Sequence, residues 1–369
     1  MGPLHGLKIV ELAGIGPGPF TAMMLADMGA KVIRIDRTQP ADIGIARPDK
    51  YHPILRNRKR IALDLKDPND INKLFKLVKT ADGLIEGFRP GTAERLGIGP
   101  EPCMEVNPRL VYGRITGWGQ DGPLARTAGH DLNYISLTGV LDAIGRKDQP
   151  PSIPLTLIGD FGGGALYLAF GMLSALYATA RTGQGQVVDT AMLDGTISLA
   201  TMFYGLQAYG MWNGERGDNL LDSGAPFYDV YQCSDKRWVS VSALESKFFK
   251  QLLRRLELDH VMVDNHLDKS TWPAIRTALE QKFREKTRDE WCAILEEADV
   301  CFAPVLNFEE AFWHPQIKAR QALVDIDGVH HAAPAPKFSI SKPLLPSAPQ
   351  EISTDSFQSI LEDWESTSD

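Results

Sequence analysis

The chain has 369 residues, 43% of them apolar and 23% charged, with a net charge of −8, which allows one large or two medium domains and argues against general binding to nucleic acid. This is the composition of an ordinary soluble protein, and no stretch reads as an uninterrupted apolar run of transmembrane length, so no membrane span is expected. Cys103, Cys233, Cys292 and Cys301 are scattered without a Cys-x-x-Cys pair, which disfavours disulfide frameworks and structural metal.

In chain order, β-rich runs alternate with amphipathic ones: a strand over 7–12, a helix over 19–28, strands over 31–36 and 60–64, a helix over 69–79, and strands over 83–86 and 110–115. Strands interleaved with helices predict βαβ units and an α/β fold with a mostly parallel sheet. Asp67-Pro68 reads as an N-cap followed by proline at the first helical position, and Gly29 and Gly183 stand where helix C-termini favour glycine. After a glycine-rich stretch over 117–122, a helical segment opens at Gly129-His130-Asp131. A Pro-rich loop over 150–154 precedes Gly159–Gly164 and a long apolar helix to about Ala180, and a strand resumes over 186–190. Beyond Gly210 the pattern changes to a hairpin (228–232 with 237–242) and helices over 247–256, 272–286 and 288–298, which predicts a smaller α+β domain. The expected division is a large domain over 1–200, a linker helix over 201–221, the small domain over 222–306, and a return linker with an acidic tail over 307–369 that packs on another part of the protein.

The opening imitates a dinucleotide fingerprint, with Gly14, Gly16 and Gly18 after a strand and Asp36 placed to take a ribose hydroxyl, so an NAD-dependent oxidoreductase is one reading. Pro17 removes a backbone donor and Pro19 fills the place where a third small residue is needed. A tight turn leading into a helix is the preferred reading. The histidines form no ligand-spaced cluster, and no metal is assigned.

Longer motifs are more specific. Gly6–Leu12, Gly29–Arg37, Arg56–Arg60, Glu86-Gly87-Phe88-Arg89-Pro90-Gly91 and Ile158-Gly159-Asp160-Phe161-Gly162-Gly163-Gly164 resemble the family III CoA-transferases. The run Ala128–Ser136, with its Gly129-His130-Asp131, resembles the 2-methylacyl-CoA racemase branch of that family. The resemblance implies a large Rossmann-like domain closed by the C-terminal tail, a smaller α+β domain, and an interlocked homodimer with sites between the large domain of one chain and the small domain of the other. It also implies an acyl-CoA substrate, and no cofactor beyond the CoA carried by that substrate.

Inverting a tertiary carbon beside a thioester needs one acid–base group on each face, each within about 3–3.5 Å of the carbon and hence on the order of 6–7 Å apart. By the resemblance these groups are His130 and Asp160. Glu245 would orient His130 from the partner chain, and the Asp131 backbone N–H would bind the enolate oxygen. Histidine as a residue type titrates near neutrality, whereas an aspartate needs a water-poor pocket to serve as an acid; Phe161 could supply it. In the transferase alternative, Asp160 is instead a nucleophile that forms an acyl anhydride and passes CoA to another carboxylic acid. The basic run Arg56–Arg60, read on charge alone as a solvated face, moves by the resemblance to the phosphate and adenine end of CoA. There it joins Arg37, Arg89, Arg95, the backbone at Leu63, Asp64, Leu65, Lys66, Gly87 and Phe88, and Gly129, Leu132, Asn133 and Tyr134 near the thioester. Met192, Met202 and Met211 are read as core or as a flexible acyl pocket. The N-terminus lacks a three-part secretory signal and the final residues match no peroxisomal tripeptide, so a cytoplasmic (bacterial-type) or organellar location is expected.

Overall fold

The computed structural model describes residues 1–39 and 44–366. The chain forms two compact units. The first comprises Met1–Thr138, Leu155–Leu199 and Pro315–Asp369, and the second Gly139–Pro154 and Ala200–His314.

The first unit is built on six parallel strands: β1 (Lys8–Leu12), β2 (Lys31–Asp36), β3 (Lys59–Ala62), β4 (Gly83–Glu86), β5 (Val111–Thr116) and β6 (Gln186–Ala191). Their order is β3-β2-β1-β4-β5-β6. Alternate residues of each strand face opposite sides, and both sides are covered. Ile9, Val32, Ile85 and Val111 meet the helix Pro17–Asp27 and the long helix Leu166–Thr182; Val10, Ile33, Leu84 and Tyr112 meet the helices Pro68–Val78 and Phe357–Glu365. Burial on both faces explains why the central strands read as near-continuous apolar runs rather than as polar–apolar alternation. The strands and helices predicted for this half fall within a few residues of their places, whereas the helices Thr92–Arg95, Pro100–Val106 and Met192–Leu199 were not expected. Asp67 caps its helix by accepting from the Asn69 N–H at 2.9 Å, and Gly29 and Gly183 take positive φ at helix ends.

One expectation is corrected. Helical backbone runs without a break from Leu157 to Thr182, and these 26 residues are long and apolar enough to cross a membrane by length and composition. Sheet packing accounts for much of that apolarity, since Leu168, Ala169, Met172 and Ala175 are buried. Met172 fits against the sheet because β4 and β5 offer Gly83 and Gly113, where a Cβ would come within 2.8 and 2.9 Å of its side chain. On the other face Leu166, Phe170, Leu173 and Tyr177 are exposed.

The second unit carries an antiparallel sheet, β7 (Tyr228–Gln232), β8 (Trp238–Ser242) and β9 (Phe302–Pro304), in that order. The helices Ser246–Arg255, Trp272–Phe283 and Arg288–Leu295 close over a core containing Phe227, Phe249, Trp272, Phe283 and Trp291. Its extent differs from the expected 222–306, because residues 139–154 and 200–221 fold with it. Arg146 pairs with the buried Asp229, which Arg276 also engages, and Arg216 donates to the carbonyls of Asp142 and Gln149. These long-range polar contacts have no signature in local periodicity.

The chain then returns to the first unit through the hairpin β10 (Leu323–Ile326) and β11 (Val329–Ala332). The tail packs on this unit: Ile360 and Trp364 are buried in its core, and the Trp364 indole N–H donates to the Leu77 carbonyl at 3.1 Å.

Candidate active site

Strand order reverses between β1 and β4, and in open α/β sheets ligands bind beyond the carboxyl ends of the strands at such a point. A cavity of about 750 Å³ lies there. Its walls are Gly14–Pro17 after β1, Arg37 after β2, Gly87–Pro90 after β4 and Thr116–Trp118 after β5, together with Gly129, His130, Asn133, Tyr134 and Asp160. A second cavity of about 560 Å³ shares Ala13, Arg37, Phe88 and Thr92 with the first and is lined further by Leu63–Lys66 and Arg95.

His130 is the N-cap of the helix Asp131–Ser136. Its backbone N–H donates to Asn133 Oδ1 at 3.1 Å and its carbonyl accepts from the Asn133 N–H at 2.8 Å, while its side chain is exposed. The turn before it is fixed by Tyr134, which is buried edge-on to Trp118 at 4.7 Å and donates its hydroxyl to the Gly129 carbonyl. A Cβ at Gly117 or Gly129 would lie 2.0 or 2.7 Å from the Tyr134 ring, so both positions require glycine for this close approach.

Asp160 sits in a widened, π-helical stretch, Leu157–Ala165, that opens the long helix. Such turns are rare and occur often at functional sites. Here the local cause is visible: Gly163 lies against the backbone of the helix Met192–Leu199, where a Cβ at Gly163 would be 2.6 Å from Thr196 N and one at Gly195 would be 1.8 Å from Gly163 O. Phe161 packs on Phe20 with ring centres 4.6 Å apart. The Asp160 carboxyl faces the Gly16 turn, where φ is +66° and a Cβ would stand 2.9 Å from Oδ2. Burial, reinforced by the negative charge of Asp131, pushes the Asp160 acid up to about 7.

The structure thus brings His130, Asp160, Gly87, Phe88, Arg89, Gly129, Asn133, Tyr134 and Arg37 to one cavity and Leu63, Asp64, Leu65, Lys66 and Arg95 to its neighbour. Asp131 is buried behind them and accepts the Asp160 N–H at 2.7 Å. Leu132 does not line either cavity, and its side chain is partly exposed. Glu245 belongs to the second unit, as the exposed N-cap of the helix Ser246–Arg255. Met192 lines the cavity, whereas Met202 and Met211 are exposed in the second unit.

The basic run is a correction. Arg56 is 2% exposed and grips Asp27 with two bonds of 3.0 and 2.6 Å. Arg58 pairs with the buried Glu11, which Arg34 also engages, and Arg60 donates to Asp36 at 2.8 Å and to Asp49 at 2.6 Å. In register, Glu11, Arg34 and Arg60 form one rung across β1, β2 and β3. A guanidinium buried this way must be neutralised internally and has no charge left for a phosphate. The same network removes the acidic residue a dinucleotide site would use, since Asp36 is buried between Arg34 and Arg60. Sequence reasoning missed Ile15, Gly16, Trp118 and Thr127 as wall residues; the glycines read as a false fingerprint were the available signal for the first two.

These features belong to a known class: the CoA-transferase family III model matches residues 4–351, and the chain belongs to that family. Within it, the chain is 39% identical over 351 residues to an alpha-methylacyl-CoA racemase of Mus musculus, covering 95% of this chain and 90% of that one. It is also 39% identical over 347 residues to the Homo sapiens alpha-methylacyl-CoA racemase, covering 93% and 88%. Among solved structures, a CAIB/BAIF family protein from Brucella suis matches with a TM-score of 0.84 at 27% identity, over 99% of this chain and 100% of that one.

Proposed function

We propose that this enzyme interconverts (R)- and (S)-2-methylacyl-CoA thioesters by 1,1-proton transfer through an enolate. The observation that carries the reading is the meeting of His130 and Asp160, from separate chain segments, on one cavity at the switch point of the sheet. With its acid lifted to about 7, Asp160 populates both carboxylate and carboxylic acid near neutral pH, so it can take a proton from one enantiomer and deliver one to the other. His130 does the converse from the opposite face of the α-carbon. The Asp131 backbone N–H, at the first turn of its helix and outside the intrahelical ladder, donates to the enolate oxygen.

Arg37, Arg89 and Arg95 are exposed around the two cavities and bind the phosphates of the CoA moiety, with Leu63–Lys66 and Gly87–Arg89 along its length. CoA is part of the substrate, and the scheme draws on no separate cofactor. A second copy of this chain is the partner. The exposed row Leu166, Phe170, Leu173 and Tyr177, spaced along one helix face, supports self-association, and Glu245 of that copy would orient the imidazole of His130.

The test is incubation of a 2-methylacyl-CoA in D2O without acceptor acid or nicotinamide. Deuterium entering at the α-carbon, and its loss by 100-fold or more in His130→Ala with CoA affinity kept, is the expected result (order of magnitude from general acid–base catalysis). No exchange, together with a hydroxylamine-trapped adduct at Asp160, assigns the enzyme to CoA transfer instead.

A further inference from the structure

Asp131 is adjacent in sequence to His130 and bonded through space to the segment that carries Asp160. Its side chain turns inward from the first position of the helix Asp131–Ser136 and is almost wholly buried. Oδ1 accepts the Asp160 backbone N–H at 2.7 Å, across a sequence separation of 29 residues. The approach is close enough to require glycine on the other side: a Cβ at Gly159 would stand 2.6 Å from Oδ1 and 3.1 Å from Ile135. The second oxygen, Oδ2, is buried with no hydrogen-bond partner. A buried carboxylate left half satisfied costs stability, which makes it a poor choice for a purely structural clasp, since an amide would offer the same acceptor.

We propose that the Asp131 carboxylate is a positioning residue for the proton transfer, clamping the Asp160-bearing turn to the His130-bearing helix and acting on the Asp160 carboxyl through its charge. The inference rests on the racemase reading for its catalytic consequence and on geometry for the rest. The charge of Asp131 works in the same direction as burial, favouring the neutral acid of Asp160; burial raises the Asp131 acid as well, and the amides of Asp160 and Gly159 counter that shift by favouring its charged form. The other ionisable side chains lining this cavity among the described residues are His130, Tyr134, Arg89 and Arg37. None of these is anionic at neutral pH, so among the described residues Asp131 is the negative charge that acts on Asp160.

Two variants separate the clamp from the charge. Asp131→Asn keeps an acceptor for the Asp160 N–H and removes the charge; Asp131→Ala removes both. With 13C-labelled aspartate and the Asp160 signal assigned by its absence in Asp160→Asn, the Asp160 carboxyl is expected to titrate at lower pH in Asp131→Asn than in wild type. Asp131→Ala is expected to lose about 100-fold in kcat with KM for the acyl-CoA nearly unchanged, the size of loss that follows small misplacement of a reacting group. Asp131→Asn should recover most of that loss at pH values below the wild-type optimum. An Asp160 titration unmoved in Asp131→Asn overturns the proposal, whether or not the Ala variant folds, as does an Ala variant with wild-type kcat. If wild type incorporates no deuterium, the racemase reading fails while the titration still decides the role of Asp131.

Discussion

Two groups of arginines in the first unit have opposite fates. Arg34, Arg56, Arg58 and Arg60 cluster around strands β2 and β3, are buried, and are each matched to Glu11, Asp27, Asp36 or Asp49. Arg37, Arg89 and Arg95 are far apart in sequence, yet the parallel sheet delivers all three to the carboxyl ends of the strands, where they stand exposed around two adjoining cavities. Density of charge along the chain is therefore a poor guide to where a ligand's charge is met. Buried charges must be paired, so this local basic run marks internal pairing, while the topology gathers the exposed arginines.

The comparison breaks most visibly if the buried group is disturbed. Arg58→Ala leaves Glu11 with one partner in a water-free environment and is expected to cost about 3–5 kcal/mol, read as a large fall in the denaturation midpoint, with CoA affinity of the folded fraction unchanged. A weakened CoA affinity at unchanged stability would put this residue back among the ligand arginines. Next in size, Arg89→Gln and Arg95→Gln should each weaken CoA binding by about tenfold, the value of one charge-assisted hydrogen bond, and leave the midpoint alone; calorimetric titration with CoA reads the effect.

The smallest effect sharpens the rule about burial. The Asp160 acid is raised, so the native state holds a proton that the unfolded chain releases at lower pH. The associated stability is complete below about pH 4, the ordinary aspartate range, and is lost as pH climbs through about 7. Asp160→Asn cannot ionise and escapes this loss. Its melting temperature relative to wild type should therefore rise by a few degrees between pH 4 and pH 8. A difference that is flat across this window contradicts the raised acid.

The sheet was legible because its cause is local and repetitive: short apolar runs such as Ile9–Val10, Val32–Ile33 and Leu84–Ile85, punctuated by Gly29 and Asp67-Pro68, mark strands and helix ends without reference to anything distant. His130 and Asp160 were singled out through motif resemblance, and the structure brings both to the lining of one cavity. The direction taken by the Arg56–Arg60 run was hidden because it depends on Glu11 and Asp27, whose apposition exists only after β1, β2 and β3 align. The extent of the second unit was hidden for a similar reason, since Arg146 and Asp229 are 83 residues apart. Gly16 falls between these cases: its chemistry was noticed, and its use as a seat for the Asp160 carboxyl became visible only in three dimensions.

The tail helix Phe357–Glu365 carries a consequence for biosynthesis. Trp364 is buried in the core beside a sheet whose first strand begins at Lys8, so the hydrophobic interior of this half stays open until the ribosome has passed residue 365. The intervening second unit can finish folding earlier, because all of its sequence lies before Pro315. A stop codon just upstream of residue 357 would therefore yield a nascent product with an intact middle and an unsealed outer half, a form suited to capture by chaperones rather than to turnover of substrate.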